Sequence, residues 1–563
     1  MMKYPGLLDE DVSRIGVQES QMLNLISGKL VTDLVKTSLG PKGMSKIYID
    51  ILDEDTLTKH GGAFLRKVDV DHPAAKSVID AVNTVDTHVG DGTTSSAILI
   101  GSLLDNAKDL LNMGIPVTVI IKGYERSLDY TLDVLDDVKI SSNNLDQKIM
   151  KQLLVTCLDG KALFDLYESQ EKILNLMIES ISCIRDFKNN YINTDDIKIE
   201  EKIGNISETQ LIRGTILDKT IDSSAMPRSI DNPKILLINE SLETMKTKSE
   251  SEIEITSPEQ MSQFLIQENT DLEILVKKII DADIDVVISR KGVNDFVQEA
   301  LAQKGIITIR RVKYNDLWWL EKATGAKTCK DIHKISVDEI GYAKKIYEKI
   351  IGGDKMIFVE GVNPKSVTLL LRANSKRYLD ELHRNALNGF KVLKNFIENP
   401  FIVFGAGSIE GIIAEKIRNH ASTIENKEQI VLERFANSVE EIPLTLARNI
   451  GMNVIDTKTQ LRAKFANSTN KIKWYGVDYN LRKISDMTSS KIIETSIVKQ
   501  QIFNTAVEAT NMILNIDDVF MKNQIDNTHC HVDGHVHAHH DGGKSHNHFE
   551  QEGLEQRQMH QYY

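Results

Sequence analysis

Apolar residues recur at helical spacing from about Gln18 to Leu39, where Met22, Leu23, Ile26, Leu30, Leu34 and Val35 form one stripe. The segment "SLGPKGM" stops that helix, because Gly40 can take the left-handed position and Pro41 forbids continuation. The pattern next predicts a short strand over "SKIYIDIL" and helices over Ala74–Thr87, Thr93–Asn112 and Val117–Val138. The texture changes after about Ser141. Residues 145–212 mix helix with a charged, Asn-rich stretch, and from Gly214 to Gly361 strands such as "KILLINE", "IDVVIS", "IITIRRV" and "MIFVEG" alternate with helices. Within that block a polar run and a β-like "EIEI" lead into a long helix starting near Ser257-Pro258. From Ser366 a strand and a long helix return, through "FIVFGAGSIEG", to a second helical block ending near Asp518.

Helical blocks therefore flank an α/β block, as when one domain is inserted into another at an exposed turn. Residues 525–563 stand apart: they are poor in apolar residues, hold nine of the fifteen histidines, and are expected to be disordered.

The bulk numbers change this picture little. A chain of 563 residues should divide into about three domains. A formal charge of -13 excludes general nucleic-acid binding, and the basic "KGIITIRRVK" reads better as a strand with exposed ends. No apolar run approaches the roughly 18 residues of a membrane span. The first residues lack the pattern of a signal peptide. Cys157, Cys183, Cys329 and Cys530 have no paired spacing, which suits free thiols and a cytoplasmic location.

The candidate chemistry begins at "HVGDGTTSSAILIGSLL". Gly90 and Gly92 let the backbone approach a ligand closely. Thr93, Thr94, Ser95 and Ser96 open a helix, so their N–H groups and hydroxyls suit an anion. Asp91 among such donors suits a hard cation, such as Mg2+, that phosphates share. Taken alone, Gly-Asp-Gly before Thr-Thr is equally an ordinary capped turn. "SLGPKGM" and "FGAGSIEG" add two more glycine-rich turns in the helical blocks, which points to one shared site.

"SLGPKGM", "VDVDHPAAK", "VGDGTT", "KATGAK", "GAGSIE" and "ATNMILNIDDV" stand in the order and spacing of the group II chaperonins, the archaeal thermosome and its eukaryotic cytosolic relatives. The chain resembles that family from about Glu19 to Phe520. The resemblance implies a multidomain α and α/β fold: a helical equatorial domain split over 1–144 and 401–524, and an intermediate domain split over 145–213 and 366–400. An apical α/β domain would occupy 214–365, with a helical lid protrusion at about 243–275. It implies ATP and Mg2+ as cofactors, stacked rings of chaperonin subunits, and unfolded polypeptides as clients. Leu39, Gly40 and Pro41 would line the nucleotide site, Asp91 would hold Mg2+, and Gly92, Thr93 and Thr94 the phosphates. Gly407 would lie on the base or ribose side, Glu494 near the ribose, and Lys161 in the loop that senses the terminal phosphate.

The sequence departs from the family at two places. Where the family carries Asn-Asp-Gly-Ala-Thr, this chain reads "TKHGGAFL", which puts His60 at the aspartate. A second family aspartate, on the helix leading back from the apical domain, falls at Asn388. No acidic residue lies between Asp55 and Asp69 or between Glu381 and Glu398, so a shift of register restores neither. An amide at Asn388 can orient a water but cannot take its proton, while His60 is a possible base and a poor Mg2+ ligand. The expectation is a subunit that binds Mg-ATP and hydrolyses it slowly or not at all, in rings of mixed subunits. The alternative is a nucleotide-binding, chaperonin-like scaffold without folding activity.

At the tip, Met261, Phe264 and Leu265 are candidates for an exposed client or lid surface, whereas Leu272, Leu275 and Val276 are expected to pack on the sheet. Of Trp318 and Trp319, one is expected to face the core, and neither is assigned to a site. The histidine tail has enough donors to bind Zn2+, Ni2+ or Cu2+ in solution.

Overall fold

The computed structural model describes residues 12–15, 17–51, 55–142, 146–159, 167–185, 191–243, 258–330, 332–467 and 473–522. The histidine tail and Lys161 fall outside them, as do the side chains of Met261, Phe264 and Leu265. The Thr93–Asn112 and Val117–Val138 helices begin and end where the apolar spacing put them. The first helix, Val17–Lys36, stops three residues short of Leu39. There the Ser38 N–H (3.0 Å) and hydroxyl (2.7 Å) both turn back onto the Val35 carbonyl, closing the last turn early. The strand read over "SKIYIDIL" is half of a hairpin, Lys46–Ile49 against Asp55–Thr58.

Side chains from residues 25–138 and 403–514 merge into one buried hydrophobic cluster, so the two helical blocks share a core although some 260 residues separate them. A second cluster joins the Gln147–Leu158, Tyr167–Ile184 and Lys376–Glu398 helices to a three-stranded sheet. In that sheet Val367–Ala373 lies parallel to Ile197–Ile203 and antiparallel to Gln210–Ile212. Separately, Val12–Ile15 pairs antiparallel with Val519–Lys522.

The strand-rich middle folds around a larger sheet. Its path runs Ile307–Ile309, Val286–Ser289, Lys234–Ile238, Gly341–Ile351, Asp354–Gly361 and Gly214–Leu217. Only the first three strands are mutually parallel, joined by the Pro258–Asp281 and Asp295–Gln303 helices; the other neighbours are antiparallel. The alternation read from sequence thus covers half of this sheet. The unanticipated strand Gly341–Ile351 buries Gly341, Ala343 and Ile346 while charged residues point outward, and a register shift after Ala343 breaks its period of two.

Ile235 and Leu237 face one buried cluster and Leu236 and Ile238 the other, as strand pleating requires. Leu272, Leu275 and Val276 join the second cluster, in agreement with the packing expected for that half of the long helix. Neither tryptophan faces the core: Leu317 and Leu320 do, and Trp318 and Trp319 are both half-buried. The tryptophans lie toward the 195–198 segment instead, with Lys322 3.9 Å over the Trp318 ring and the Trp319 indole N–H donating to the Asp195 carbonyl at 2.8 Å. A cation over each ring and a partner for the indole satisfy both side chains at the surface of the helix.

Candidate functional site

Three glycine turns converge on one cavity of about 650 Å³. Its lining includes Leu39, Gly40 and Pro41 after the first helix, Asp91 to Ser95 at the start of the Thr93 helix, and Gly407 and Glu494 from the second half of the chain. Of the described residues picked from the sequence around the glycine turns and the altered positions, therefore, all but Gly90, Ser96 and Asn388 meet there, His60 among them. Gly90 sits just behind, as the left-handed cap of the Pro73–Val89 helix. Asn388 is buried on the Lys376–Glu398 helix, outside the cavity lining.

Local geometry explains the turns. Gly92 has φ +81° as the N-cap of the Thr93 helix, and a Cβ there would lie 2.6 Å from Ile502 Cδ1. Gly407 repeats the arrangement before the Ser408–Ala421 helix, with φ +77° and Pro443 Cβ 2.4 Å from where its own Cβ would be. Backbone conformation and close packing both demand glycine at these points. The Asn449 amide donates to the carbonyls of Lys36 (3.0 Å) and Leu39 (2.9 Å), fixing the third turn. From behind, Lys391 Nζ donates to the Asp86 carbonyl at 2.8 Å and the Asn395 amide to that of Val89 at 3.1 Å. Burial pushes the Lys391 ammonium below its ordinary pKa.

One wall is apolar, made by Ala406, Ile442, Leu446, Ile450 and Val477. Beside it Lys499 lies between two carboxylates, 2.7 Å from Glu410 Oε1 and 2.7 Å from Glu494 Oε2, and its side chain is 3% exposed. Burial drives the Glu494 carboxyl up, and Lys499 offsets this only in part, with Glu410 and Asp91 adding to the rise. Burial alone would lower the Lys499 ammonium; the two carboxylates outweigh it and hold it above its ordinary value. Asp478, also on the wall, is pushed up by burial, but the N–H groups of Leu481 and Asn480 and the Ser485 hydroxyl bring it below the usual carboxylate range.

The opposite end differs. His60 caps the Gly61–Leu65 helix, its Nδ1 accepting the Ala63 N–H at 3.2 Å. A neutral ring that accepts at Nδ1 carries its proton on Nε2, which faces Asp86 Oδ1 at 3.4 Å and Thr93 Oγ1 at 3.5 Å. Asp86 is in turn paired with Arg66 at 2.8 Å. Lys59, a cavity residue, donates to the Pro41 carbonyl at 3.0 Å. From the long helix, Glu381 Oε2 accepts from Thr58 Oγ1 (3.1 Å) and Arg384 (2.9 Å), two residues short of His60.

A magnesium ion shared with phosphates takes one or two carboxylates and completes its shell with phosphate and water oxygens. Asp91 supplies one such carboxylate beside the free N–H groups of the Thr93 helix, so the donor set fits a metal bound together with phosphate. It does not fit a metal held by protein alone: among the described residues no three His, Cys, Asp or Glu cluster as ligands. Sequence reasoning missed Lys59, Asp478 and Lys499. Lys59 adjoins His60, one of the two altered positions, and Lys499 follows Glu494 by five positions, one turn into the next helix.

A model of the TCP-1/cpn60 chaperonin family matches residues 31–524. The chain is 35% identical over 517 residues to thermosome subunit beta of Archaeoglobus fulgidus, which covers 91% of this chain and 94% of that one. A thermosome subunit of Pyrococcus horikoshii is 36% identical over 92% of this chain and 94% of its own length. Thermosome subunit alpha of Sulfurisphaera tokodaii is 37% identical over 91% and 93%, respectively. Among the described residues no helix is long and apolar enough to cross a membrane.

Proposed function

The chain belongs to the TCP-1/cpn60 chaperonin family, among its group II members, and we propose that it is an ATP-binding chaperone subunit in which hydrolysis is weak or absent. In this reading the shared helical cluster is the split equatorial domain, the second cluster with its three-stranded sheet the intermediate domain, and the larger sheet the apical domain. Subunits of this and other kinds stack in rings that enclose non-native polypeptides, and the long Pro258–Asp281 helix belongs to the lid.

The observation that carries the nucleotide assignment is the convergence of the glycine turns on a single cavity with one apolar wall and one helix N-terminus. The wall suits a base, Glu494 a ribose hydroxyl, and the Thr93 helix start the phosphates. When bound, Mg2+ would be held by Asp91 and would neutralise phosphate charge.

What argues for slow hydrolysis is the state of the two altered positions. A base for the attacking water needs a lone pair aimed into the cavity. His60 spends its Nδ1 lone pair on the Ala63 N–H and presents a proton at Nε2. Asn388 has no basic group, and Glu381 is buried outside the cavity lining, its Oε2 bonded to Thr58 and Arg384. His60 therefore serves as a cap rather than a base. The test is single-turnover hydrolysis by the assembled chain and by the H60D/N388D double variant. The double variant should be faster by roughly 10²–10⁴-fold. Equal rates would overturn the slow-hydrolysis reading.

A further inference from the structure

We infer that Lys59 supplies built-in positive charge to the terminal phosphates, so that nucleotide binding by this chain depends only weakly on Mg2+. The inference rests on the nucleotide reading of the cavity and goes beyond it by assigning a residue that sets metal dependence.

Three observations place the ammonium. Lys59 is 6% exposed and lines the cavity, and its Nζ reaches the carbonyl of Pro41, another cavity residue, at 3.0 Å. The segment that carries it is pinned to the first turn of the Thr93 helix: His60 Nε2 lies 3.5 Å from Thr93 Oγ1, and a Cβ on Gly61 would lie 2.6 Å from Thr94 Oγ1. The cation is therefore delivered to the same end of the cavity as the unpaired N–H groups of that helix start, where an anion binds. His60, beside it, has its two nitrogens committed and adds no negative charge.

The physical consequence follows from charge balance. A triphosphate brings about four negative charges near neutral pH, and a wall bearing several carboxylates repels them until a divalent metal intervenes. Here Asp91 stands at the helix start with Glu494 near enough to feel its charge, and the Lys59 ammonium in the same lining offsets part of that negative charge. An ammonium–phosphate hydrogen bond is charge-assisted and short-ranged, and the Lys59 ammonium, which lines the cavity beside Pro41, is placed to make it. Asp91 still accommodates Mg2+, so the metal strengthens binding without being required for it.

Calorimetric titration of the full-length protein with ATP, in Mg2+ and in excess EDTA, tests this. For the wild type, removing Mg2+ should weaken binding by no more than about tenfold. K59M should weaken metal-free binding at least about tenfold more than metal-loaded binding, and K59R should restore the wild-type ratio. A merely structural role for the bond to Pro41 would weaken both alike, and that outcome, or loss of wild-type binding in EDTA, overturns the inference. Should K59M fail to fold, H60D serves: a carboxylate placed there should steepen the metal dependence, and an unchanged ratio counts against the inference. Absence of wild-type binding under both conditions would instead remove the nucleotide reading beneath it.

Discussion

The two ends of the cavity handle charge in opposite ways. At one, Glu410, Lys499 and Glu494 come from three elements, the Ser408–Ala421 helix, the Ser496–Leu514 helix and the Ile493–Thr495 strand, and bury a net negative charge that only their mutual pairing makes tolerable. At the other, a lysine and a capping histidine stand where the family resemblance calls for amide and carboxylate groups, and Asp91 remains as the acid at the helix start. The first end is matched to holding a ligand by hydroxyls and shape. The second keeps the donors that grip an anion while lacking a group that takes a proton from water. In the proposed reading, gripping and turnover draw on different residues of one cavity and are separable.

Removing the cation from the first end should have the largest effect. K499M leaves buried Glu410 and partly buried Glu494 facing each other without their counter-charge, the latter already pushed up by desolvation. Breaking a buried ion pair of this kind costs about 3–5 kcal/mol, which denaturant unfolding would read directly. A loss below about 1 kcal/mol, the value typical of an exposed pair, would break the contrast between the two ends.

A smaller effect separates conformation from packing at the turn both ends share. G92A forces φ +81° on an alanine and drives its methyl to 2.6 Å from Ile502 Cδ1, whereas Gly114 has φ +77° with nothing within 4 Å. The left-handed backbone costs each variant about 1–2 kcal/mol, and crowding adds about 1–3 kcal/mol to G92A alone. Unfolding midpoints should therefore rank G92A below G114A. Equal losses would mean that the Thr93 helix start shifts to make room, and that the cavity geometry is softer than the glycine packing implies.

How much of this was legible beforehand varied with the range of the interactions involved. Helix ends set by local chemistry were readable to the residue, as at Thr93–Asn112, because Gly92 and the Thr-Thr start announce themselves in the chain. Apolar spacing carries the predicted helix on to Leu39, but the Ser38 side chain, turned back on Val35, ends it first. The mixed sheet was only half visible, since the charged face and bulge of Gly341–Ile351 hide its alternation. At the site, motif residues that share a turn are legible, whereas Lys59 and Lys499 pair with residues remote in sequence and Asp478 is held by its own near neighbours in a segment without a motif. Lys499 matters because Glu410, 89 positions away, pairs with it, and Lys59 because Pro41, 18 positions away, accepts its hydrogen bond. Both are facts of three-dimensional pairing that residue type alone does not carry.

The finest probe of the contrast is the pH response of Glu494, the one acid of the buried triad that also lines the cavity. Its carboxyl is raised above the ordinary 4.5 chiefly by burial, with Glu410 and Asp91 adding and Lys499 opposing. A raised folded-state value means that the folded chain holds this proton more tightly than the unfolded chain. Its stabilising contribution is then complete below pH 4.5 and is lost as pH rises through the folded value. E494Q removes the titration while keeping the size of the side chain. The stability of the wild type relative to E494Q should therefore fall as pH rises from about 4.5, by less than the K499M loss because Lys499 stays charged throughout and offsets part of the burial cost. A difference that grows with pH would mean that pairing to Lys499 outweighs burial at Glu494. The Glu410–Lys499–Glu494 end would then be a favourable ion pair rather than a charge held at a cost, and the two ends of the cavity would differ in residues but not in electrostatic principle.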